Sequence, residues 1–501
     1  MTAADVGGPM TTIVVPTVGR PSLAALLKAL ADGTAPVTAP VVVVDDRRSG
    51  EPLDLPATSL DVLVVRSRGG GPARARNLGW RRARTPWVSF LDDDVLPDPE
   101  WFGSLLEDLR SAAPDVAGVQ GRVRVPLPEH RAPTDWERGT AGLAGAQWIT
   151  ADLSYRREAL AAVGGFDERF PRAFREDADL GLRVTATQGR IVLGTRTVAH
   201  PVRAADFWAS VRQQRGNADD FLMSALHGPD WRQRAAAPRG RRRRSLAVTL
   251  SGMTAVIAFP LRRRRLAALA ALGWVSGTAE LATARIRPGP RDRAEVTRML
   301  VTSAVIPASA TWHSLRGLLA HRTARPWVGP PDLVLFDRDG TLVHDVPYNG
   351  DPELVRPVSQ ARAVLDRLRH EGVRVGLVTN QSGVAGGRIS VAQVRAVNAR
   401  VEQLLGPFDA VEFCPHGPEE GCGCRKPAPG MVKDACATVG VDPARCVVVG
   451  DIGADVDAAA AAGARGILVP TASTDTAEVA RAEQVCPDLD AALEVILGGR
   501  W

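Results

Sequence analysis

Two aspartates separated by a single residue, Asp337 and Asp339, follow the apolar run Leu333 to Phe336. In an extended backbone, residues i and i+2 point to the same side, so both carboxylates can face one ligand. One carboxylate can attack phosphorus, while the other protonates the leaving oxygen and then activates water. An acidic turn after a strand is the alternative interpretation. The spacing favours hydrolysis of a phosphate ester through a covalent intermediate.

A second acidic run, with Asp92 and Asp94 facing the same way, follows the apolar run Trp87 to Leu91. Hard oxygen ligands of this kind suit Mg²⁺ or Mn²⁺ bound to a diphosphate. Asp45 and Asp46 end an earlier apolar run, where they suit hydrogen bonds to a nucleoside base or ribose. We therefore predict a nucleotide-binding edge of a sheet in this region.

A cluster of potential metal ligands lies in the last third of the chain. Cys414, His416, Cys422 and Cys424 supply three thiols and an imidazole within eleven positions, a tight set for tetrahedral Zn²⁺. With four protein ligands the zinc is structural, and it clamps the loop that leads to Lys426. A disulfide pair is the alternative.

Two alternations of strand-like and helical segments must position these residues. The first extends from Thr11 to about Val125 and the second begins at Leu333, which predicts two α/β domains. The predicted strands are Ile13 to Val15, Val41 to Val44, Val62 to Val65, Trp87 to Leu91, Leu333 to Phe336, Val373 to Val378 and Cys446 to Val449. The predicted helices are Ser22 to Ala31, Pro72 to Ala83, Ala361 to His370, Val391 to Leu405 and Ala454 to Ala462.

Composition excludes several classes of protein. The chain has 501 residues, 45% of them hydrophobic and 24% charged, which excludes global disorder and a fibrous repeat. A net charge of +6 does not indicate a nucleic-acid partner. All six cysteines lie between Cys414 and Cys486, and the start of the chain has no pattern of a secretory signal. We expect a reducing cytoplasm.

The region between the two alternations has a different character. Arginine runs at Arg241 to Arg244 and Arg262 to Arg265 enclose the apolar stretches Ser245 to Leu261 and Leu266 to Ala284. Two interpretations stay open: peripheral attachment to an anionic membrane surface at its inner face, or a helical linker packed on the first domain with its arginines solvated. The predicted organisation is a disordered segment 1–10, a first domain 11–231, an arginine-rich helical linker 232–329 and a second domain 330–501.

The first domain resembles the family 2 inverting glycosyltransferases with the GT-A fold over about residues 10 to 225. The resemblance is carried by Val14-Val15-Pro16-Thr17, Val43-Val44-Asp45-Asp46, Ala75-Arg76-Asn77-Leu78-Gly79, Phe90-Leu91-Asp92-Asp93-Asp94, Val163-Gly164-Gly165-Phe166-Asp167 and Arg175-Glu176-Asp177. It implies that Asp92 and Asp94 hold Mg²⁺ or Mn²⁺ on a nucleotide-diphosphate sugar and that Asp177 takes the proton from the acceptor hydroxyl. The acceptor is an unidentified glycan or lipid.

The same resemblance implies further contacts to the nucleotide sugar from Pro16, Asp45, Asp46, Asn77, Asp93 and Glu176. His200 is either an additional metal ligand or a structural histidine. The segment from Gln213 to Asn217 departs from the arginine-tryptophan motif that many relatives carry.

The second domain resembles the haloacid dehalogenase superfamily through Asp337-Arg338-Asp339-Gly340-Thr341, Thr379-Asn380, Lys426 and Gly450-Asp451, in this order. By this resemblance Asp337 is the nucleophile that forms an aspartyl-phosphate and Asp339 is the acid/base. Thr379 and Lys426 bind the phosphate. The implied Mg²⁺ ligands are Asp337, Asp339 and Asp451.

The cysteine cluster narrows the resemblance to the D-glycero-D-manno-heptose 1,7-bisphosphate phosphatases and their histidinol-phosphatase relatives, over about residues 332 to 498. Asn380 and Arg425 are then expected at the sugar phosphate. The resulting prediction is a bifunctional enzyme, a Mg²⁺-dependent sugar-phosphate phosphatase fused to a glycosyltransferase. The alternative is a phosphatase for histidinol phosphate or another small phosphomonoester whose first domain only binds or targets.

Overall fold

The computed structural model describes residues 8–498 and separates into two compact units, Met1–Trp327 and Val328–Trp501. Most of the segment predicted to be disordered, residues 1–7, lies outside the described residues. Both units are α/β, so the predicted fold class is confirmed. The boundaries of the three predicted regions stay predictions.

The first unit contains one mixed sheet with the strand order β3-β2-β1-β4-β7-β6-β8-β5. Its strands are β1 Thr11–Thr17, β2 Val41–Asp45, β3 Val62–Arg66, β4 Trp87–Leu91, β5 Leu96–Pro97, β6 Val116–Arg124, β7 Asp152–Arg156 and β8 Arg190–Ala199. The helices that accompany them are α1 Ser22–Ala31, α2 Pro72–Arg82, α3 Trp101–Arg110, α4 Asp135–Ala141, α5 Arg157–Ala162, α6 Glu176–Thr187, α7 Ala209–Arg212, α8 Gly216–His227 and α9 Trp231–Arg234.

The first four strands of this sheet place the predicted nucleotide residues at one edge. β1, β2, β3 and β4 are parallel neighbours, and Thr17 at the end of β1 pairs with Asp45 at the end of β2. The apolar residues of β1, β2 and β4, such as Ile13 and Val43, are buried between helices on both faces. On the edge strand β3, Leu63 and Val64 are exposed. Because parallel strands end at the same edge, Asp45, Asp46 and the aspartates after β4 converge there.

Three long helices, α10 Arg242–Ala258, α11 Arg264–Ile286 and α12 Arg293–Ala320, follow in the first unit. The hydroxyls of Thr249 and Thr311, on α10 and α12, lie 3.1 Å apart. Arg285 on α11 contacts Asp135 on α4 at 2.8 Å. The three helices therefore belong to the first unit, and α11 contacts α4 of its α/β fold. Among the described helices only α11 is long and apolar enough to cross a membrane, judged by length and composition, and 11% of its apolar window is buried.

The second unit is a parallel sheet with the order β11-β10-β9-β12-β13. Its strands are β9 Leu333–Phe336, β10 Arg374–Asn380, β11 Ala410–Cys414, β12 Cys446–Gly450 and β13 Arg465–Leu468. Its helices are α13 Ala361–His370, α14 Val391–Leu405, α15 Gly430–Val439, α16 Gly453–Ala462, α17 Thr476–Arg481 and α18 Leu489–Leu497. Helices cover both faces, so the central strands β9 and β12 are buried along their whole length.

Candidate active sites

The carboxyl ends of β9, β10 and β12 bring Asp337, Thr379 and Asp451 to one edge of the second sheet. Phe336 pairs with Leu377 on one side and with Val449 on the other, so the three strands end at the same level. The Asp337 amide donates to the Val449 carbonyl at 2.9 Å. Parallel pairing therefore assembles residues that are more than a hundred positions apart in the chain.

Lys426 is the buried cation of this edge. Its ammonium contacts the Asp337 carboxylate, lies 2.6 Å from Asp455 and donates to the Val378 carbonyl at 2.9 Å. Burial raises the pKa of Asp337 to about 8, and the Asp455 and Asp339 carboxylates add to the rise although Lys426 opposes it. The site therefore holds more negative charge than Lys426 alone neutralises.

Asp451 lies in a narrow space beside the loop after β9. Thr341 donates to Asp451 at 3.4 Å. Burial, followed by repulsion from Asp455, raises the pKa of Asp451 to about 6. Gly340 has φ +81°, and a Cβ there would lie 2.3 Å from an Asp451 carboxylate oxygen. The loop therefore passes so close to Asp451 that only glycine fits.

Two residues predicted at the substrate have other partners in the structure. The Asn380 side chain accepts from the Lys426 amide and donates to the Lys426 carbonyl, both at 3.1 Å. Arg425 is half-buried and donates to the His416 carbonyl at 3.4 Å. Asn380 thus holds the backbone of Lys426 in place.

Cys414, His416, Cys422 and Cys424 converge in the structure. Their four ligand atoms lie within 4.8 Å of one another. The sulfur–sulfur distances are 3.3 to 3.6 Å, and the His416 Nδ1 lies 3.2 Å from Cys424 Sγ and 3.5 Å from Cys414 Sγ. A disulfide needs about 2.05 Å, and the cysteines are free, so the disulfide alternative is wrong.

The aspartates after β4 form the corresponding centre of the first unit. Ligand atoms of Asp92, Asp94 and His200 lie within 4.8 Å of one another. Asp94 is 6% exposed, and its carboxylate contacts Arg203 and lies 3.7 Å from His200 Nε2. Burial raises the pKa of Asp94. His200 thus lies beside the two predicted ligands, at a position from which it could serve as an additional metal ligand.

Arg76 connects the metal loop with the acidic start of α6. Its buried guanidinium donates to Asp92 at 2.7 Å and to Glu176 at 2.8 Å. Burial raises the pKa of Glu176 to about 8, and the neighbouring Asp177 carboxylate adds to the rise. Asp177 itself is partly exposed, and burial raises its pKa. Arg76 belongs to a motif of the glycosyltransferase resemblance that assigned it no role.

A cleft of about 180 Å³ lies beside these residues, and Pro16, Asp46, Arg76, Asp92 and Asp93 are among its lining residues. Asp46 accepts from Ser67 at 2.6 Å and from the Gly71 amide at 3.0 Å. Asp93 is 1% exposed, and its carboxylate accepts hydrogen bonds from the Thr17 hydroxyl at 2.7 Å and from the Arg20 guanidinium at 2.6 Å.

Asn77 and Asp45 were predicted to bind the nucleotide sugar, but the structure gives them internal partners. Asn77 is fully buried, and its amide contacts the Phe166 backbone, Glu168 and Trp80 at 2.8 to 3.0 Å. These contacts use both donors and both acceptor positions of the amide. Asp45 is fully buried and bidentate with Arg47 at 2.8 and 2.9 Å.

Sequence comparisons separate the two units in the same way. Residues 12–162 match the glycosyl transferase family 2, and residues 423–492 match a HAD-hydrolase-like family. The curated D-glycero-beta-D-manno-heptose-1,7-bisphosphate 7-phosphatase of Bordetella bronchiseptica is 35% identical over 174 residues, which cover 33% of this chain and 97% of that protein. Through its second unit, this chain belongs to the heptose bisphosphate phosphatase family.

Two solved structures are similar to parts of this chain. A crystal structure of D,D-heptose 1,7-bisphosphate phosphatase from B. bronchiseptica, complexed with magnesium and phosphate, is 35% identical with a TM-score of 0.31 and covers 33% of this chain and 98% of its own. The crystal structure of Staphylococcus aureus TarS 1-349 in complex with UDP-GlcNAc is 14% identical, with a TM-score of 0.33. The similarity covers 62% of this chain and 92% of the TarS chain. The family matches identify a bifunctional enzyme, a family 2 glycosyltransferase fused to a heptose bisphosphate phosphatase-like hydrolase.

Within the phosphatase unit, the structure adds three residues to which the sequence assigned no role. Arg338 is buried and binds both oxygens of Asp339, at 2.8 and 3.0 Å. Gln381 donates to Asp339 at 2.9 Å and to Thr379 at 3.0 Å. Asn398 accepts from Arg338 at 2.8 Å. Arg338 and Gln381 therefore fix the orientation of the predicted acid/base.

Proposed function

We propose that the phosphatase unit removes the 7-phosphate of D-glycero-D-manno-heptose 1,7-bisphosphate through an aspartyl-phosphate, with Mg²⁺ as cofactor. The observation that carries the proposal is the contact of the buried Lys426 ammonium with the Asp337 carboxylate, in a unit that matches almost the whole length of a curated phosphatase for this sugar. Lys426 orients the nucleophile and offsets the charge of the incoming phosphate.

The chain's own residues can perform both halves of the reaction. An Asp337 oxygen attacks phosphorus and the bond to the sugar oxygen breaks, while Asp339 gives its proton to that oxygen. Asp339 then takes a proton from water, whose oxygen attacks the aspartyl-phosphate and releases inorganic phosphate and free Asp337. The Gln381 amide between Asp339 and Thr379 keeps the acid/base beside the phosphate position.

The donor set fits Mg²⁺. Asp337 and Asp451 offer hard carboxylate oxygens, and burial has raised the pKa of each, which is the electrostatic strain that a divalent cation relieves. Both Asp339 oxygens are bound by Arg338, so its carboxylate is the least available of the three predicted ligands. When bound, Mg²⁺ supplies positive charge that neutralises the phosphate oxygens.

The loop glycine beside Asp451 gives a test of this cation site. We expect Gly340→Ala to raise the Mg²⁺ concentration for half-maximal phosphatase activity by about 10- to 100-fold, because the new methyl displaces Asp451. Gly387→Ala is the control, since Gly387 also has positive φ, +65°, but nothing lies within 4 Å of its Cβ position. If both variants needed equally more Mg²⁺ than wild type, backbone strain and not Asp451 would be the cause.

We propose that the cysteine cluster holds a structural Zn²⁺. Zinc–sulfur bonds of about 2.3 Å in a tetrahedron place sulfurs about 3.8 Å apart, close to the observed 3.3 to 3.6 Å. Cys424 is two residues from Lys426, and the Cys414 carbonyl accepts from the Gln381 amide at 2.7 Å. The cluster therefore fixes the two segments that carry Lys426 and Gln381, and its thiolates suit a reducing cytoplasm.

Removing a zinc ligand should affect both metal content and catalysis. We expect Cys422→Ser to reduce zinc from one per chain toward zero in elemental analysis and to lower phosphatase kcat at least about 10-fold, because the Lys426 loop loses its clamp. Cys486→Ser, at a buried cysteine outside the cluster, is the control and should keep its zinc. Full zinc in Cys422→Ser would contradict the proposed site.

The substrate is tested with a panel of phosphate esters, with phosphate release as the readout. We expect the highest kcat/KM for D-glycero-D-manno-heptose 1,7-bisphosphate, at least about 10-fold above histidinol phosphate and hexose phosphates, since a site built for specific hydroxyls discriminates against ligands that lack them. A preference for histidinol phosphate would overturn the substrate assignment but keep the phosphatase class.

We propose that the first unit transfers a sugar, with inversion, from a nucleotide-diphosphate sugar to a glycan or lipid acceptor. Asp92 lines the cleft and lies together with Asp94 and His200 in a group that can hold Mg²⁺ or Mn²⁺, and Asp177 is the acceptor base. Arg76 holds Asp92 and Glu176 together, so the metal loop and the base are positioned by one buried guanidinium.

A further inference from the structure

The hairpin of α10 and α11 exposes an unusual amount of apolar surface. Only Ala258 of α10 and only Ala267 and Ala282 of α11 are buried. Side chains near the turn between the helices are the most exposed: Val256 and Phe259 at 74%, Leu269 at 69%, Leu261 at 66% and Leu272 at 62%. Contiguous apolar surface of this kind marks a binding surface for another apolar phase.

Arginines lie at both ends of this surface because the two helices are antiparallel. Near the start of α10, Arg244 contacts Glu280 of α11. Midway, Gly252 lies against Trp274. The register therefore places Arg241 to Arg244 at one end and Arg262 to Arg265 at the turn, about 25 Å apart along α10 at 1.5 Å per residue. The arginines at the turn are exposed.

The charge of the hairpin is almost entirely positive. Glu280 is the one acidic residue between positions 239 and 291, and Arg241 and Arg244 already face it. A groove of about 370 Å³ is lined by these arginines, by the apolar Val248 and Ile306, and by the acidic Glu280 and Asp135. A phosphate group with an alkyl chain matches arginines that lie beside apolar side chains.

We propose that the hairpin is a docking surface for an anionic phospholipid bilayer, a partner that the two enzymatic activities do not by themselves require. The apolar side chains around Phe259 enter the boundary between headgroups and acyl chains, and both arginine groups contact lipid phosphates. The hairpin lies along the bilayer surface instead of crossing it, since four arginines at its turn disfavour passage through hydrocarbon. The packing of α12 on α10, through Thr311 and Thr249, joins this surface to the glycosyltransferase fold.

Flotation of the full-length protein with vesicles tests the proposal. We expect it to float with equal parts phosphatidylglycerol and phosphatidylcholine but not with phosphatidylcholine alone, and to bind less at 1 M salt. The triple variant R263Q/R264Q/R265Q should bind the anionic vesicles on the order of 100-fold more weakly. The variant F259S/L261S should lose at least about 10-fold while keeping every charge.

The matched control is R84Q/R110Q/R157Q, which removes three exposed arginines elsewhere in the same unit. It should bind like wild type, and circular dichroism checks that all variants are folded. Equal loss in this control, or equal binding to neutral vesicles, would overturn the proposal. So would an absence of vesicle binding together with lipid-free self-association, which would show that a second copy covers the surface. Vesicle binding needs no turnover, so failure of the phosphatase panel leaves this test unaffected.

Discussion

Replacing Asp337 by asparagine is expected to lower phosphatase kcat by at least about 10⁴-fold, the scale seen when a covalent nucleophile is removed. The amide keeps the size of the carboxylate but cannot form the phosphoryl ester, and it removes one of the two carboxylates that contact Lys426. Steady-state phosphate release from the preferred ester of the panel measures the effect. Glycosyl transfer by the same variant should be unchanged.

Two further variants separate chemistry from folding. Asp434→Asn removes an exposed carboxylate of the same unit and should keep wild-type activity. With an aryl phosphate, whose leaving group needs no general acid, Asp339→Asn should form the phosphoenzyme but hydrolyse it slowly, so acid quenching of the labelled ester should trap phosphate on Asp337. Trapping the label on another residue, or an Asp337→Asn variant that retains a tenth of the activity, would contradict the proposed nucleophile.

The sequence predicted the elements that carry a strong local pattern. Strands β4 and β9 and helices α1, α13 and α14 begin and end at the predicted residues. β4 and β9 are short apolar runs ended by acidic residues, and the helices have clear apolar periodicity. β7 was not predicted. It has few apolar residues, and its pairing with β4 on one side and with β6 on the other stabilises it.

The sites were predictable where chemistry and spacing coincide. The Cys414 to Cys424 set converges as expected, because four soft ligands within a short segment have few other ways to pack. Asn77 shows the limit of this reasoning. A polar residue in a family motif was expected at the ligand, but the fold uses its amide to join α2 to the loop at Phe166.

The partners that orient the predicted residues were not visible in the sequence. Arg76 lies one hundred positions from Glu176, and the chain has 59 arginines among which nothing distinguishes it. The sequence assigned no role to Gln381, yet it contacts Asp339 and Thr379. Such partners depend on which loops the sheet brings together, so only the tertiary structure reveals them.

Replacing Asp177 by asparagine is expected to lower sugar transfer by about 10² to 10⁴-fold, the usual contribution of a general base. Asp177 is the partly exposed member of the acidic start of α6, whereas Glu176 is buried and bound to Arg76. Asp177 can therefore reach an acceptor hydroxyl, and burial raises the pKa of its carboxyl group. Transfer is measured with a panel of nucleotide-diphosphate sugars and a lipid or glycan acceptor extract.

Donor binding distinguishes a lost base from a damaged cleft. Calorimetry with the preferred nucleotide sugar and Mn²⁺ should give the same Kd for Asp177→Asn and wild type, because the proposed donor ligands are Asp92, Asp94 and His200. Asp206→Asn, at an exposed carboxylate of the same unit, is the isosteric control and should transfer normally. Unchanged transfer by Asp177→Asn would exclude Asp177 as the base. If wild type itself bound no nucleotide sugar, the first unit would be a binding or targeting module, and its apolar hairpin would then be its main functional surface.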